Sequence, residues 1–434
     1  MLLKKIFKVF TPFLKTLTQT IAILLLLVNQ ASAYGNSQKK YNTLDGKVFA
    51  GYQGWFNAKN DGMDLGYRHY GRNGFAPGNS TVDLWPDLTE FDNDEKYATS
   101  FKHADNSTAY VFSSANQKTV NRHFQWMKEY GIDGAFLQRF PASPKNSKLS
   151  QGLDKVLENV RFAAKNNQRS WSLMYDLSGK KFGDIKRIVM EDYKRLHKQG
   201  IFNDSNYQHH NGKPVISVWG LGFDDNRQYT LEETAELINF LKNDPVYGNK
   251  TVMLGVPYWW RELKNDTVNN TLLHDIIKSA DIVSPWSVTR NYNLDAVYKR
   301  HPAILKKDIN WLKQNNLDYM PVICPGFSWY NMKHKEQGDE TLFDQIPRLG
   351  GKYLWAQAVE SRIAGAKMVY VAMFDELDEA TAIMKATNQP PVGESPFLTY
   401  KGLPSDHYLW LTGQIGRLFR GEIDASQEIP LRLK

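Results

Sequence analysis

Residues 373–381 read Met-Phe-Asp-Glu-Leu-Asp-Glu-Ala-Thr and place four acids, Asp375, Glu376, Asp378 and Glu379, within five positions. A run of acids usually forms a solvated loop. This one directly follows the apolar stretch 368–373, and the chain returns at once to Ala380-Thr381-Ala382-Ile383, which argues for a buried turn. Glu376 and Glu379 stand three apart, so on a helical turn both side chains project to one side with Cβ atoms about 5–6 Å apart. Two carboxyls that close resist joint ionisation, and one keeps its proton near neutral pH. A protonated acid beside an ionised base is what cleavage of a glycosidic bond requires. Glu376 and Glu379 are therefore the expected catalytic pair.

The elements that must position them follow from periodicity. Eight short apolar runs have the composition of buried parallel strands: 48–52, 134–137, 172–175, 215–219, 252–256, 282–284, 320–323 and 368–373. Helical patterns fill the gaps at 119–130, 151–167, 184–199, 231–242, 270–280, 302–315 and 352–365, with a further one at 407–419. Strand and helix alternating to eight strands specify a (β/α)8 TIM barrel, an α/β fold with helices outside and the functional site at the C-terminal ends of the strands. The first βα connection, 57–118, is unusually long and is expected to form one wall of a cleft. The segment after Gly402 is expected to pack beneath the barrel.

Residues just after each strand, where Gln138 and Trp260 also stand, then yield the candidate substrate-binding set: Gln53, Trp55, Arg139, Asp176, Trp219, Tyr258, Trp259, Trp286, Trp329 and Asp375. Aromatic, amide and carboxylate groups dominate this rim, as suits stacking on sugar rings and bonding to their hydroxyls. Asp176 is either a third functional carboxylate or a cap for the loop that follows it. Arg139 either holds an anionic sugar or pairs with an acid of the eighth strand. His209 and His210 precede a strand, on the face away from the site. The rim lacks a Ser-His-Asp layout, a phosphate loop and a metal-ligand cluster, so no cofactor or metal is expected. Asn60-Asp61-Gly62-Met63-Asp64 lacks cation-loop spacing and reads as a turn.

Composition narrows the setting. The chain has 434 residues, 42% hydrophobic and 13% aromatic with 12 Trp, ample for a large core. Its formal charge of +8 includes Lys4, Lys5, Lys8 and Lys15, which precede the apolar run 21–28 and Ala31-Ser32-Ala33. That order is expected of a secretory signal over 1–33, with Tyr34 as the mature start. The apolar core of that signal is too short to span a bilayer, for which about 20 residues are needed. Residues 34–46 form an N-terminal tail and 47–434 the barrel domain. Without the leader the charge falls to +4, and no basic run remains to bind nucleic acid. A single cysteine, Cys324, excludes an intrachain disulfide. An exported, disulfide-free chain of this size points to a bacterial source, acting in the periplasm, at the cell surface or outside the cell.

The stretch Asp375-Glu376-Leu377-Asp378-Glu379-Ala380-Thr381-Ala382-Ile383 resembles the Asn-Glu-Trp-His-Glu-Gly-Thr-x-Ile motif of glycoside hydrolase family 99, the endo-α-mannosidases and endo-α-mannanases, and of the related family 71. The likeness in layout covers about 48–420. It implies a retaining glycosidase in which the residue at Glu376 deprotonates the sugar 2-hydroxyl to form a 1,2-anhydro sugar, while that at Glu379 serves as acid and then base. Leu377, Asp378 and Ala380 replace the family's Trp, His and Gly, and the first strand ends Gly51-Tyr52-Gln53-Gly54-Trp55 in place of a Tyr-rich segment. These changes fall around the reacting sugar, so the resemblance is to an uncharacterised bacterial branch and does not fix α-mannoside specificity. Two other readings stand beside this one: a carbohydrate-binding barrel without turnover, and an ordinary two-carboxylate glycosidase using Asp176 with Glu376.

Overall fold

The computed structural model describes residues 41–142 and 147–432. The expected leader, and the tail as far as residue 40, lie outside the described residues.

Eight parallel strands follow one another around a barrel. The first six are Val48–Tyr52, Gly134–Arg139, Ser170–Asp176, Lys213–Trp219, Thr251–Pro257 and Ile282–Trp286, each paired with its successor. The seventh is broken. Its first piece, Asp318–Tyr319, pairs with the sixth strand, and its second, Val322–Ile323, pairs with the eighth, Val369–Val371, which in turn pairs with the first. Pro321 has no N–H to continue a ladder, and the break falls there. Met320 N–H still donates to Val283 (2.9 Å) and Tyr370 N–H to the Pro321 carbonyl (3.0 Å), so hydrogen bonding closes the ring.

Strand side chains alternate between two cores. Phe49, Phe136, Met174, Val215, Met253, Ile282, Met320 and Tyr370 fill the barrel. Their neighbours in sequence, among them Leu137, Leu173, Tyr175, Ile216 and Leu254, pack under the helices. The helices match the expected places, with three differences, one of them an additional helix, Tyr330–Gln337, after the seventh strand. The fourth-strand approach opens with a wide π turn, Ile185–Met190, before the α-helix Glu191–Lys198. A short helix, Leu294–Lys299, precedes His301–Gln314. Thr230 caps Leu231–Asn243 in a reciprocal box with Glu233, as its sequence indicates. Among the described residues no helix is long and apolar enough to cross a membrane.

The long first connection carries a hairpin, Tyr97–Lys102 with Thr108–Val111, over an aromatic core of Tyr70, Phe75, Trp85, Phe101 and Phe112. Asp83 ties this segment to the C-terminal face. Its N–H donates to Leu377 (3.0 Å), and its carboxylate accepts the N–H groups of Tyr330 and Asn331, both at 2.7 Å. At the opposite end the helix His407–Phe419 lies against the start of the first strand. Gly413 there approaches so closely that a Cβ would stand 1.9 Å from the Tyr130 carbonyl oxygen. His210 is also at that end, bonding Asp318 (3.1 Å) and the Leu44 N–H (3.1 Å).

Candidate active site

The chain leaves the eighth strand and folds back on itself. Met373 N–H donates to Thr381 (3.1 Å), Ala382 N–H to Glu376 (3.0 Å) and Ile383 N–H to Met373 (3.0 Å). A closed turn over 377–380 forms in place of the helical turn expected from i, i+3 spacing. Arg348 braces it, donating to the carbonyls of Ala380 (2.6 Å) and Ala382 (2.7 Å).

Each acid on this turn has a different environment. Asp375 is fully buried and accepts the N–H groups of Gln53 (2.7 Å) and Gly54 (2.9 Å), so it binds the end of the first strand to the turn. Glu376, also buried, accepts Gln53 Nε2–H on Oε1 (2.9 Å) and Thr381 Oγ1–H on Oε2 (3.0 Å). Glu379 is partly exposed. The Trp329 indole N–H is close enough to ease its ionisation without reaching hydrogen-bond geometry. Asp378 is buried, with Oδ1 unpartnered and Oδ2 3.6 Å from His69 Nδ1. Among the described residues, His69 is the one basic side chain with a nitrogen within 4 Å of any of the four.

Removal from water raises the proton affinity of all four carboxyls. Burial pushes Asp375 and Asp378 up to about 7 and Glu379 to about 8, the last helped by the neighbouring charge of Asp378. Glu376 is raised well above the usual carboxylate range by burial first, then by Glu379 and Asp378. Glu376 and Glu379 thus titrate together, the charge of one raising the proton affinity of the other. Two donors face Glu376 and none fully engages Glu379. Hydrogen bonding therefore favours charge at Glu376 over Glu379, while burial opposes charge at both.

Glu379 opens on a cavity of about 390 Å³ walled by Trp219, Phe223, Arg227, Trp286, Arg290 and Trp329. Trp219 meets Trp286 edge-on at 5.4 Å, and the Arg227 guanidinium covers Trp219 at 5.4 Å. Gly255 makes room for that indole, since a Cβ there would stand 2.3 Å from Trp219 Cδ1. Trp55 lies on the first-connection side of the acids, stacked on His69 at 3.9 Å with the rings nearly parallel.

Other expected site residues are placed elsewhere. Arg139 points outward between helices, where it bonds Asp192 (2.6 and 2.8 Å) and Asp154 (2.7 Å), acids of helices and not of the eighth strand. Tyr258 is buried behind the fifth strand on His301 (2.7 Å). Trp259 is half-buried between Lys264 and Arg300, away from the cavity wall. Asp375 is held by backbone and does not face the cavity. Asp176 accepts the Ser178 N–H (2.7 Å), the capping alternative, while burial raises it to about 6. Cys324 is buried and its thiol is pushed up to about 12 by burial.

Other residues reach the site beside the expected substrate-binding set, Phe223 and Arg290 of the cavity wall among them. Gln138 faces inward, one residue before Arg139, with Nε2 3.4 Å from Tyr370 Oη. Strand alternation puts it on the face of Phe136 and sends Arg139 to the other. Thr381 is within the motif. His69 and Arg227 come from connections whose course the sequence does not specify. Among the described residues, no group of three or more His, Cys, Asp or Glu side chains is disposed to hold a metal ion.

Fold and site together define a (β/α)8 barrel with an acidic turn beside a tryptophan-walled cavity at its C-terminal face. The same fold is found in the family 99 endo-α-mannosidase of Bacteroides thetaiotaomicron. One structure, in complex with bis-tris-propane, aligns with a TM-score of 0.60 at 17% identity, covering 88% of this chain and 99% of the other. Another aligns at 0.62 with 16% identity, covering 87% and 99%. A glycoside hydrolase-like protein aligns at 0.52 with 14% identity, covering 86% and 94%. The family to which the 375–383 motif points is therefore also one whose solved structures share this fold. No family model and no curated protein sequence matches the chain.

Proposed function

We propose that this protein is a retaining glycosidase acting on a polysaccharide or oligosaccharide, with Glu376 and Glu379 as its catalytic residues. One observation carries the reading. Two carboxyls of raised proton affinity share a turn beside a tryptophan-walled cavity, and around them Gln53 Oε1, Trp219 Nε1 and Trp329 Nε1 are buried without protein partners. Buried polar atoms left unpaired cost about 1–3 kcal/mol each, and a ligand rich in hydroxyls would supply the missing partners. Stacked indoles suit the flat faces of sugar rings.

In the route implied by the family likeness, Glu376 takes the proton of the sugar 2-hydroxyl as that oxygen attacks the anomeric carbon. Glu379 gives its proton to the departing glycosidic oxygen. Water, deprotonated by Glu379, then opens the 1,2-anhydro sugar at the anomeric carbon, and the proton on Glu376 returns to the 2-oxygen. The donors on Glu376 and the retained proton on Glu379 fit these roles. A positioned acid or base typically contributes about 10²–10⁴-fold. Glu376→Gln and Glu379→Gln should each lose at least that in kcat, read as reducing-sugar release on a panel of defined oligosaccharides and α-mannan, with binding little changed. A substrate methylated at the 2-hydroxyl should be inert, and its efficient cleavage by wild type would exclude the anhydro route. If wild type binds members of the panel but cleaves none, the protein is a binding barrel. If Asp176→Asn costs as much as Glu376→Gln while Glu379→Gln keeps activity, an ordinary pair is at work.

We also infer export to the bacterial periplasm, cell surface or medium, on the strength of the Lys-bearing, apolar and small-residue segments of 1–33.

A further inference from the structure

The 378 position and residue 69 together carry an arrangement that the 375–383 motif does not contain. Asp378 stands where the motif has His, and an imidazole reaches it from the first connection instead. His69 Nδ1 lies 3.6 Å from Asp378 Oδ2. Its ring is clamped against Trp55 at 3.9 Å with an interplanar angle of 4°, which fixes the plane in which the imidazole meets the acid. Asp378 is in turn the residue directly before Glu379 on the same turn, and is itself buried.

The groups around this pair leave His69 as the available lever. From its own turn Asp378 faces Asp375, Glu376 and Glu379, all acids. From the first connection come His69, with Arg68 behind it, and Tyr70, whose hydroxyl is committed to the Phe112 carbonyl at 2.9 Å. From the seventh-strand side Trp329 and Cys324 face Glu379, while Arg348 serves the backbone carbonyls of the turn.

We propose that His69 is a positioning residue that acts on Glu379 through Asp378: by directing an N–H at Asp378 it favours the ionised form of that acid, whose charge keeps the proton on Glu379. His69 itself stays neutral, because burial and Arg68 hold its basicity far below the ordinary imidazole range, to about 3. A neutral imidazole carries a single N–H, and the proposal places it on Nδ1, the nitrogen that faces Asp378. The 3.6 Å gap is long for a hydrogen bond and is of the kind that tightens when a ligand fills a site. The importance of this coupling for turnover rests on the glycosidase reading; its electrostatics do not.

The sign follows directly. An ionised Asp378 raises the proton affinity of Glu379. Asp378→Asn removes that charge and His69→Ala makes it harder to form, so both should lower the Glu379 midpoint. We expect carbon-13 NMR titration of the full chain labelled at the glutamate δ-carboxyl, with Glu379 assigned by its loss in Glu379→Gln, to place the wild-type midpoint near 8. The midpoint should fall by about one unit in Asp378→Asn, a tenfold loss of proton affinity. It should fall by less in His69→Ala and recover in His69→Gln, which restores a neutral N–H donor. Where wild type turns over a sugar of the panel, the alkaline limb of kcat/KM should move by the same amounts. A Glu379 midpoint unmoved in Asp378→Asn overturns the coupling, and one unmoved in His69→Ala removes His69 from it. A wild type that cleaves nothing, yet shows the shifts, overturns the glycosidase reading and leaves the coupling in place.

Discussion

Ala380 occupies the left-handed region with φ of +48°, at the position where the resembled motif has Gly. A Cβ in that region costs about 1–2 kcal/mol, part of which a glycine would return through the larger conformational freedom of its unfolded chain. Ala380→Gly should therefore raise stability by about 0.5–1 kcal/mol, read as a higher midpoint in urea at unchanged slope. A lower midpoint would mean that the Ala380 methyl packs well enough to outweigh the strain. The same turn explains why Glu376 and Glu379 are not equivalent despite their shared setting. One is held between Gln53 and Thr381, and the other looks into the cavity with only the Trp329 edge beside it.

Among the elements, the strand ends decide which aromatic groups meet a ligand. The fourth and sixth strands deliver Trp219 and Trp286 into the cavity, and the loop after the seventh brings Trp329 to it. Tyr258 and Trp259, adjacent in sequence after the fifth strand, go instead to a buried cluster and to a rim between two cations. Aromatic contacts are worth about 0.5–1.5 kcal/mol beyond the area they bury. Trp219→Ala and Trp329→Ala should each weaken binding of a cleaved oligosaccharide by that amount in calorimetry on the Glu379→Gln background. Trp259→Ala should leave affinity unchanged. Equal losses at all three would show that the ligand extends over the fifth-strand rim as well.

At the scale of the whole molecule, the first connection, the seventh loop and the acidic turn act as one assembly joined by Asp83. The helix His407–Phe419 and its close-packed Gly413 cover the opposite end. The proposed export belongs to this scale too. N-terminal sequencing of protein recovered from a bacterial host carrying the full chain should begin at or near Tyr34. An intact Met1 on membrane-bound protein would show that 1–33 is retained as an anchor.

Much of the architecture was legible in the residue order alone. Buried parallel strands are apolar on both faces, so all eight appear as local runs, and helices between them keep their own period. The acids after the eighth run stood out because composition changes abruptly there. What the linear order could not decide was direction and partnership. Gln138 faces inward and Arg139 outward because the closed barrel sets strand parity, and adjacent residues of one run carry no mark of it. His69 reaches Asp378 only because a long connection folds across the C-terminal face. The proton affinities of the four acids arise from burial by groups distant in the chain. Periodicity is local and survives in the sequence; desolvation and contact are three-dimensional, and only the folded molecule determines them.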